Sequence, residues 1–166
     1  MTPNPPIGVW KPVAGVDPHC FACGKDNPHG LRMTFETDGE RFRSRLTVPR
    51  HLRGWDSLVH GGVLATILDE AMSWAAIHLH RRFILTKSME VRFRKPVRIE
   101  TELTVYSQVL ERRSERQVTM QADILDAEGD ICATSTGAFV LFTAEQFGEL
   151  DLMERKQLSE MADWLE

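Results

Sequence analysis

The chain lacks any apolar run approaching the roughly 18 residues that a membrane-spanning helix needs. Its amino terminus, Met1-Thr2-Pro3-Asn4-Pro5-Pro6, has no positive charge and no apolar stretch behind it, so no secretory signal is expected and the default location is cytoplasmic. Excess positive charge is missing too. Lys and Arg number 20 against 24 Asp and Glu, a formal net charge of -4, whereas binding nucleic-acid phosphates needs a concentrated excess of Lys and Arg. Cysteine is scarce: Cys20, Cys23 and Cys132 are odd in number and come without an export signal, so free thiols are expected rather than a disulfide framework. No internal repeat or low-complexity tract appears.

What is present fits one soluble domain. The 166 residues are 42% hydrophobic and 27% charged, enough to bury a core but too short for two comfortable domains. Five of the eight prolines fall within residues 1–18, and residues 1–19 read as an extended arm, because proline lacks the donor that strands and helix interiors require. From Leu31 the pattern alternates. Leu31, Met33 and Phe35, a turn at Asp38-Gly39, then Phe42, Ser44, Leu46 and Val48 predict a strand pair.

After a loop over 49–59, Gly62 to about His80 is long, apolar and free of proline, and predicts a helix. Its polar residues Thr66, Asp69, Glu70, Ser73 and His80 fall in a narrow stripe, so other structure should wrap it almost all round. Three period-2 stretches follow: Thr86 to Val97, with Met89, Val91 and Phe93 inward; Glu100 to Leu110; and Val118 to Leu125, which turns at Ala127-Glu128-Gly129 into Ile131 to Phe142. Short links predict an antiparallel meander of four strands. Residues 144–166 read as a terminal amphipathic helix. The expected class is α+β, one helix enclosed by a curved antiparallel sheet whose free edge a second copy covers across a twofold axis.

The run Val59-His60-Gly61-Gly62-Val63-Leu64-Ala65-Thr66-Ile67-Leu68-Asp69-Glu70-Ala71 resembles the signature of the PaaI-type hotdog thioesterases, whose helix opens with His-Gly-Gly and carries an acid nine residues after the His. Cys20-Phe21-Ala22-Cys23-Gly24-Lys25-Asp26-Asn27-Pro28-His29-Gly30-Leu31 looks like the strand entry of many members. The resemblance spans about residues 20–142, and the helix motif is its specific part. It implies a hotdog domain over 20–143, acyl-CoA as substrate, no cofactor, and sites at the subunit interface of a homodimer or homotetramer. It also implies that Asp69 is the catalytic acid, that Thr86 helps to hold water or substrate, and that Arg92 and Arg94 contact the nucleotide. Some members place an Asn six residues before the His, where this chain has Gly54.

The residues support the same site by themselves. Two glycines at a helix start let a ligand approach free N–H groups where the helix dipole favours negative charge, so the N–H of Gly61 or Gly62 is a candidate oxyanion donor. Asp69 lies seven residues past Gly62, about 10 Å along the axis. One carbonyl does not reach both, so the site needs Asp69 from a partner protomer, as base or nucleophile. Glu70 is the rival acid. His60 reads either as a substrate-binding base or as a helix cap. Arg92 and Arg94 suit phosphates, with a solvated strand face as the plain alternative. His19, Cys20, Cys23 and His29 suggest half of a zinc site whose other half is not apparent, so no metal is expected. The expected activity is hydrolysis of an acyl-CoA thioester. A non-catalytic acyl-CoA-binding or regulatory hotdog protein is the alternative, and a hotdog dehydratase is disfavoured for want of a His-and-acid pairing.

Overall fold

One helix, α1 (Gly61–His80), organises the chain. Its apolar residues point in nearly every direction, and Ile67, Leu68, Met72, Ala75 and Ala76 are fully buried. A helix of this kind is stable only when enclosed. The structure, a computed structural model, describes residues 8–15 and 17–166; Met1 to Ile7 and Val16, part of the expected arm, lie outside them.

A seven-stranded antiparallel sheet encloses α1: β1 (Lys11–Val13), β2 (Phe35–Thr37), β3 (Arg41–Thr47), β4 (Phe83–Phe93), β5 (Glu102–Arg112), β6 (Gln117–Leu125) and β7 (Ile131–Phe142). The order across it is β1-β2-β3-β5-β6-β7-β4. The expected four-strand meander is therefore corrected. β5, β6 and β7 do run as neighbours, but β4 pairs with β7 at the far edge while β3 takes the place beside β5. The link from β4 to β5 is not a hairpin: it holds Pro96, and Val59 N–H bonds Val97 O while Glu100 N–H bonds Val48 O, so it crosses the open end of the sheet.

The first strand pair matches its pattern, with Phe42, Ser44 and Val48 buried and the turn at Asp38 to Glu40 held by the Asp38 carboxylate, which accepts from the N–H groups of Glu40 and Arg41. Within the expected proline-rich arm, Lys11–Val13 adds a short strand against β2. β4 starts earlier and ends earlier than its alternation suggests, and Phe93, read as inward, is 58% exposed. The cause is position, since β4 is an edge strand and Phe93 is its last residue.

The terminal helix is divided. α2 (Ala144–Glu149) opens with a capping box between Thr143 and Gln146 and seats Phe147 against Phe83, ring centroids 4.8 Å apart. The chain then breaks where Asp151 takes a φ of 51°, and α3 (Arg155–Leu165) follows. Trp164 of α3 meets Trp74 of α1 edge-on at 5.7 Å. The sheet and these helices together surround α1.

Candidate active site

At the start of α1 the His60 ring closes back on the helix. Gly62 N–H donates to His60 Nδ1 at 2.9 Å, while Val63 N–H and Leu64 N–H reach His60 O. His60 thus serves as the cap, the bracing alternative of its two readings. Of the two glycine donors, Gly62 is already engaged. No acceptor among the described residues meets the Gly61 N–H, which leaves it as the free donor at the positive end of the helix dipole. Phe93 lies over it: a Cβ added to Gly61 would stand 3.4 Å from Phe93 Cζ.

Two turns further on, Thr86 Oγ1 donates to Asp69 Oδ1 at 2.9 Å. A β-bulge makes this meeting possible. Side chains alternate along a strand, so Thr86 and Met89, three residues apart, would face opposite ways; the register shift between Thr86 and Ser88 inserts one residue and brings both to the helix side. They line one groove of about 350 Å³ with Gly62, Ala65, Thr66, Asp69, Glu70 and the loop Cys20-Phe21-Ala22. Burial raises the Asp69 carboxyl above the ordinary aspartate range, with the Thr86 hydrogen bond opposing it.

Glu70, in the same groove, has different partners. Its Oε1 accepts from Trp74 Nε1 at 2.9 Å and lies 3.6 Å from Cys20 Sγ, and burial, then the neighbouring Cys20 charge, push its carboxyl up to about 7. The two adjacent acids are thereby sorted, Asp69 to the strand and Glu70 to the cysteine loop. Cys20, Cys23 and Glu70 place three ligand-type atoms within 4.8 Å of one another, the one such cluster among the described residues. His19 and His29 take no part in it.

The arginines lie apart from the groove. Glu90 and Arg92 pair with Thr136 and Thr134, and so face away from Gly137, whose added Cβ would meet Met72 of α1. Arg92 and Arg94 border a cavity of about 530 Å³ on the outer surface of the sheet, beside Glu90, Gln121 and Asp123. Arg92 is held by Glu90 at 2.8 Å. At the departure from the family pattern, Gly54 sits against the His60 backbone and offers no side chain to the groove. No helix among the described residues is long and apolar enough to cross a membrane.

The class these features define is the hotdog fold. Residues 57–133, a little under half of the chain, match the family model of the thioesterase superfamily. Among solved structures, a thioesterase superfamily protein is similar at 27% identity and a TM-score of 0.68, over 76% of this chain and 62% of that one, so this chain spans less than two thirds of its length. The Escherichia coli PaaI protein from the phenylacetic acid degradation operon aligns at 18% identity and a TM-score of 0.62, over 72% of this chain and 83% of its own. A hypothetical thioesterase protein from Streptococcus pneumoniae, solved with coenzyme A, aligns at 18% identity and a TM-score of 0.58, over 62% and 79%. No curated protein matches the sequence significantly.

Proposed function

We propose that this chain hydrolyses an acyl-CoA thioester to a free acid and CoA, at a site that two protomers complete. The observation that carries the reading is the Asp69–Thr86 hydrogen bond on the wall of a groove that begins beside the helix start. The family match supports thioester hydrolysis, and the coenzyme A bound by the pneumococcal neighbour supports CoA as the thiol.

The chemistry follows from the positions. Asp69 Oδ1 is held by Thr86, which leaves Oδ2 to take a proton from water as the water attacks the thioester carbonyl. The negative charge that forms on the carbonyl oxygen needs a preorganised donor, and the Gly61 N–H is the free one. Gly61 and Asp69 are eight residues apart on one helix, about 12 Å at the standard rise, so the donor comes from a second copy whose α1 runs antiparallel. Collapse of the tetrahedral intermediate expels the CoA thiolate, a better leaving group than an alkoxide because a thiol is much more acidic than an alcohol, and the proton held by Asp69 neutralises it. Carboxylic acid and thiol are the products, and no cofactor enters.

The edge strand supports the pairing. β4 presents eleven residues with one neighbour only, and exposed Leu85 and Phe93 lie along it. A twofold axis beside β4 would join two sheets and bring the two grooves together in a homodimer, or in a homotetramer built from it.

The test is thiol release from a panel of short, long and aromatic acyl-CoAs. At least one should turn over, and Asp69→Asn should lower its kcat by about a hundredfold or more, the scale expected for loss of a catalytic base. Tight acyl-CoA binding without thiol release would favour the non-catalytic alternative.

A further inference from the structure

The two cysteines before β2 remain unused by this mechanism. Cys20 and Cys23 sit on a tight turn in which Ala22 N–H and Cys23 N–H both point at Cys20 Sγ, each at 3.4 Å, while Gly24 N–H bonds Cys20 O at 2.8 Å. Only glycine fits at position 24, because a Cβ there would lie 2.5 Å from the backbone N and O of Cys20. The backbone therefore fixes the direction of the sulfur. Amide groups aimed at a sulfur favour its thiolate form, the form that binds metals.

The sequence shows half of a metal site here, and the fold brings a third ligand from fifty residues away. Glu70, on the face of α1 that meets the loop, sets Oε1 3.6 Å from Cys20 Sγ. A tetrahedral zinc ion with Zn–S of about 2.3 Å and Zn–O of about 2.0 Å has an S···O edge of about 3.5 Å. The Trp74 indole N–H, 2.9 Å from Oε1, fixes the carboxylate in the way that outer partners orient metal ligands. The charge balance points the same way. Two thiols and a largely buried carboxyl share this space, and no ion pair among the described residues supplies Glu70 with a cation.

We propose that Cys20, Cys23 and Glu70 bind a divalent zinc-type cation that fastens the Cys20–Cys23 turn to α1. Two thiolates with one carboxylate suit Zn2+ over hard cations such as Mg2+ or Ca2+, which prefer oxygen throughout. Three protein ligands leave a fourth position for water or an outside ligand. Because Cys20, Phe21 and Ala22 form one wall of the Asp69 groove, the ion would hold that wall in place.

The experiment uses the full chain without a histidine tag, fully reduced, and titrates it with Co2+ and then Zn2+. One equivalent of Co2+ per chain should produce sulfur-to-metal charge-transfer absorption, which Zn2+ should abolish by displacement. Cys20→Ser and Cys23→Ser should remove the band, and Glu70→Gln should weaken binding by about tenfold or more, while Cys132→Ser, a change at a buried thiol outside the cluster, should leave it intact. The wild-type titration decides the matter even if a variant fails to fold. Absence of a stoichiometric charge-transfer band in the reduced wild type overturns the proposal. So does a band that survives Cys20→Ser, or Glu70→Gln binding as tightly as wild type. A reduced protein that ignores both ions but forms a Cys20–Cys23 disulfide on mild oxidation would identify a redox pair and exclude the metal site.

Discussion

Thr86 is the residue whose proposed role separates most cleanly from folding, because its partner is Asp69 and its strand position is exposed. Thr86→Val keeps the β-branched shape and removes only the hydroxyl. A hydrogen bond to a charged group contributes about 1.5–3 kcal/mol net, and about 1.4 kcal/mol is tenfold in rate. The expected result is a fall in kcat of about ten- to hundredfold with KM little changed, and substantial recovery in Thr86→Ser. A variant that loses kcat and thermal stability together, without rescue by Ser, would show a structural role only. The meeting of Thr86 with Asp69 was only partly legible. Motif spacing picks both residues, yet strict alternation from Met89, Val91 and Phe93 sends Thr86 to the outer face, and a bulge gives no sign in residue types. Asp69 and Glu70 are likewise inseparable by composition. Their different partners arise because consecutive helix residues point about 100° apart, one toward β4 and the other toward the cysteine loop.

Whole elements were read more surely than their neighbours in space. Hydrophobic period identifies α1 and the strands, but period alone does not say which strand lies beside which, so the place of β4 beyond β7 was missed. That place bears on the arginines. On an outward strand face Arg92 is already tied to Glu90, while no carboxylate among the described residues lies within salt-bridge distance of Arg94, so Arg94 is the better candidate of the two for a phosphate. Arg94→Ala should raise KM for acyl-CoA more than Arg92→Ala does, with kcat nearly unchanged and no effect on short pantetheine thioesters, since remote binding acts on ground and transition states alike. Equal losses on both substrates would remove these residues from CoA binding. The carboxyl end of α1 makes a second prediction. His78 Nδ1 and His80 Nε2 are buried without a hydrogen-bond partner among the described residues, and burial, then the charges of Arg81 for His78 and of Arg112 and Arg82 for His80, lower both pKa values. The unfolded chain therefore binds more protons than the folded one below about pH 6.5, so their contribution to stability is complete above that pH and declines as pH falls. Glu70, whose carboxyl is raised to about 7, contributes in the opposite sense over the same window, so the histidine effect is read as a difference: from pH 7 to 5 the melting temperature of His78→Phe with His80→Gln should fall less, or rise more, than that of wild type. An unchanged slope would place the acid sensitivity elsewhere.

On the scale of the whole molecule, the shared site has a stringent test. His60 is extended, with φ -62° and ψ 135°, which suits a residue before proline, and Gly61 is the first helical position, where proline is tolerated. Gly61→Pro thus deletes the proposed oxyanion donor while keeping α1, and should cost about a hundredfold to a thousandfold in kcat. Mixed with Asp69→Asn in equal amounts after subunit exchange, half of the dimers contain both variants, each with one intact site, so activity should return to about a quarter of wild type. If mass measurement shows exchange and the mixture stays inactive, the donor and Asp69 do not come from different protomers.

The two ends of the sheet are not alike, and the difference limits how large an assembly can grow. β4 offers a long run of backbone to a newcomer, but β1 at the opposite end is three residues long and has Pro12 at its centre, a residue with no N–H to extend a ladder. Two copies joined along β4 therefore turn only blunt ends outward. If the copies pair along β4 as proposed, strand addition that begins at the open edge stops after one step, which would protect the protein from the open-ended, fibre-forming growth that two receptive edges permit.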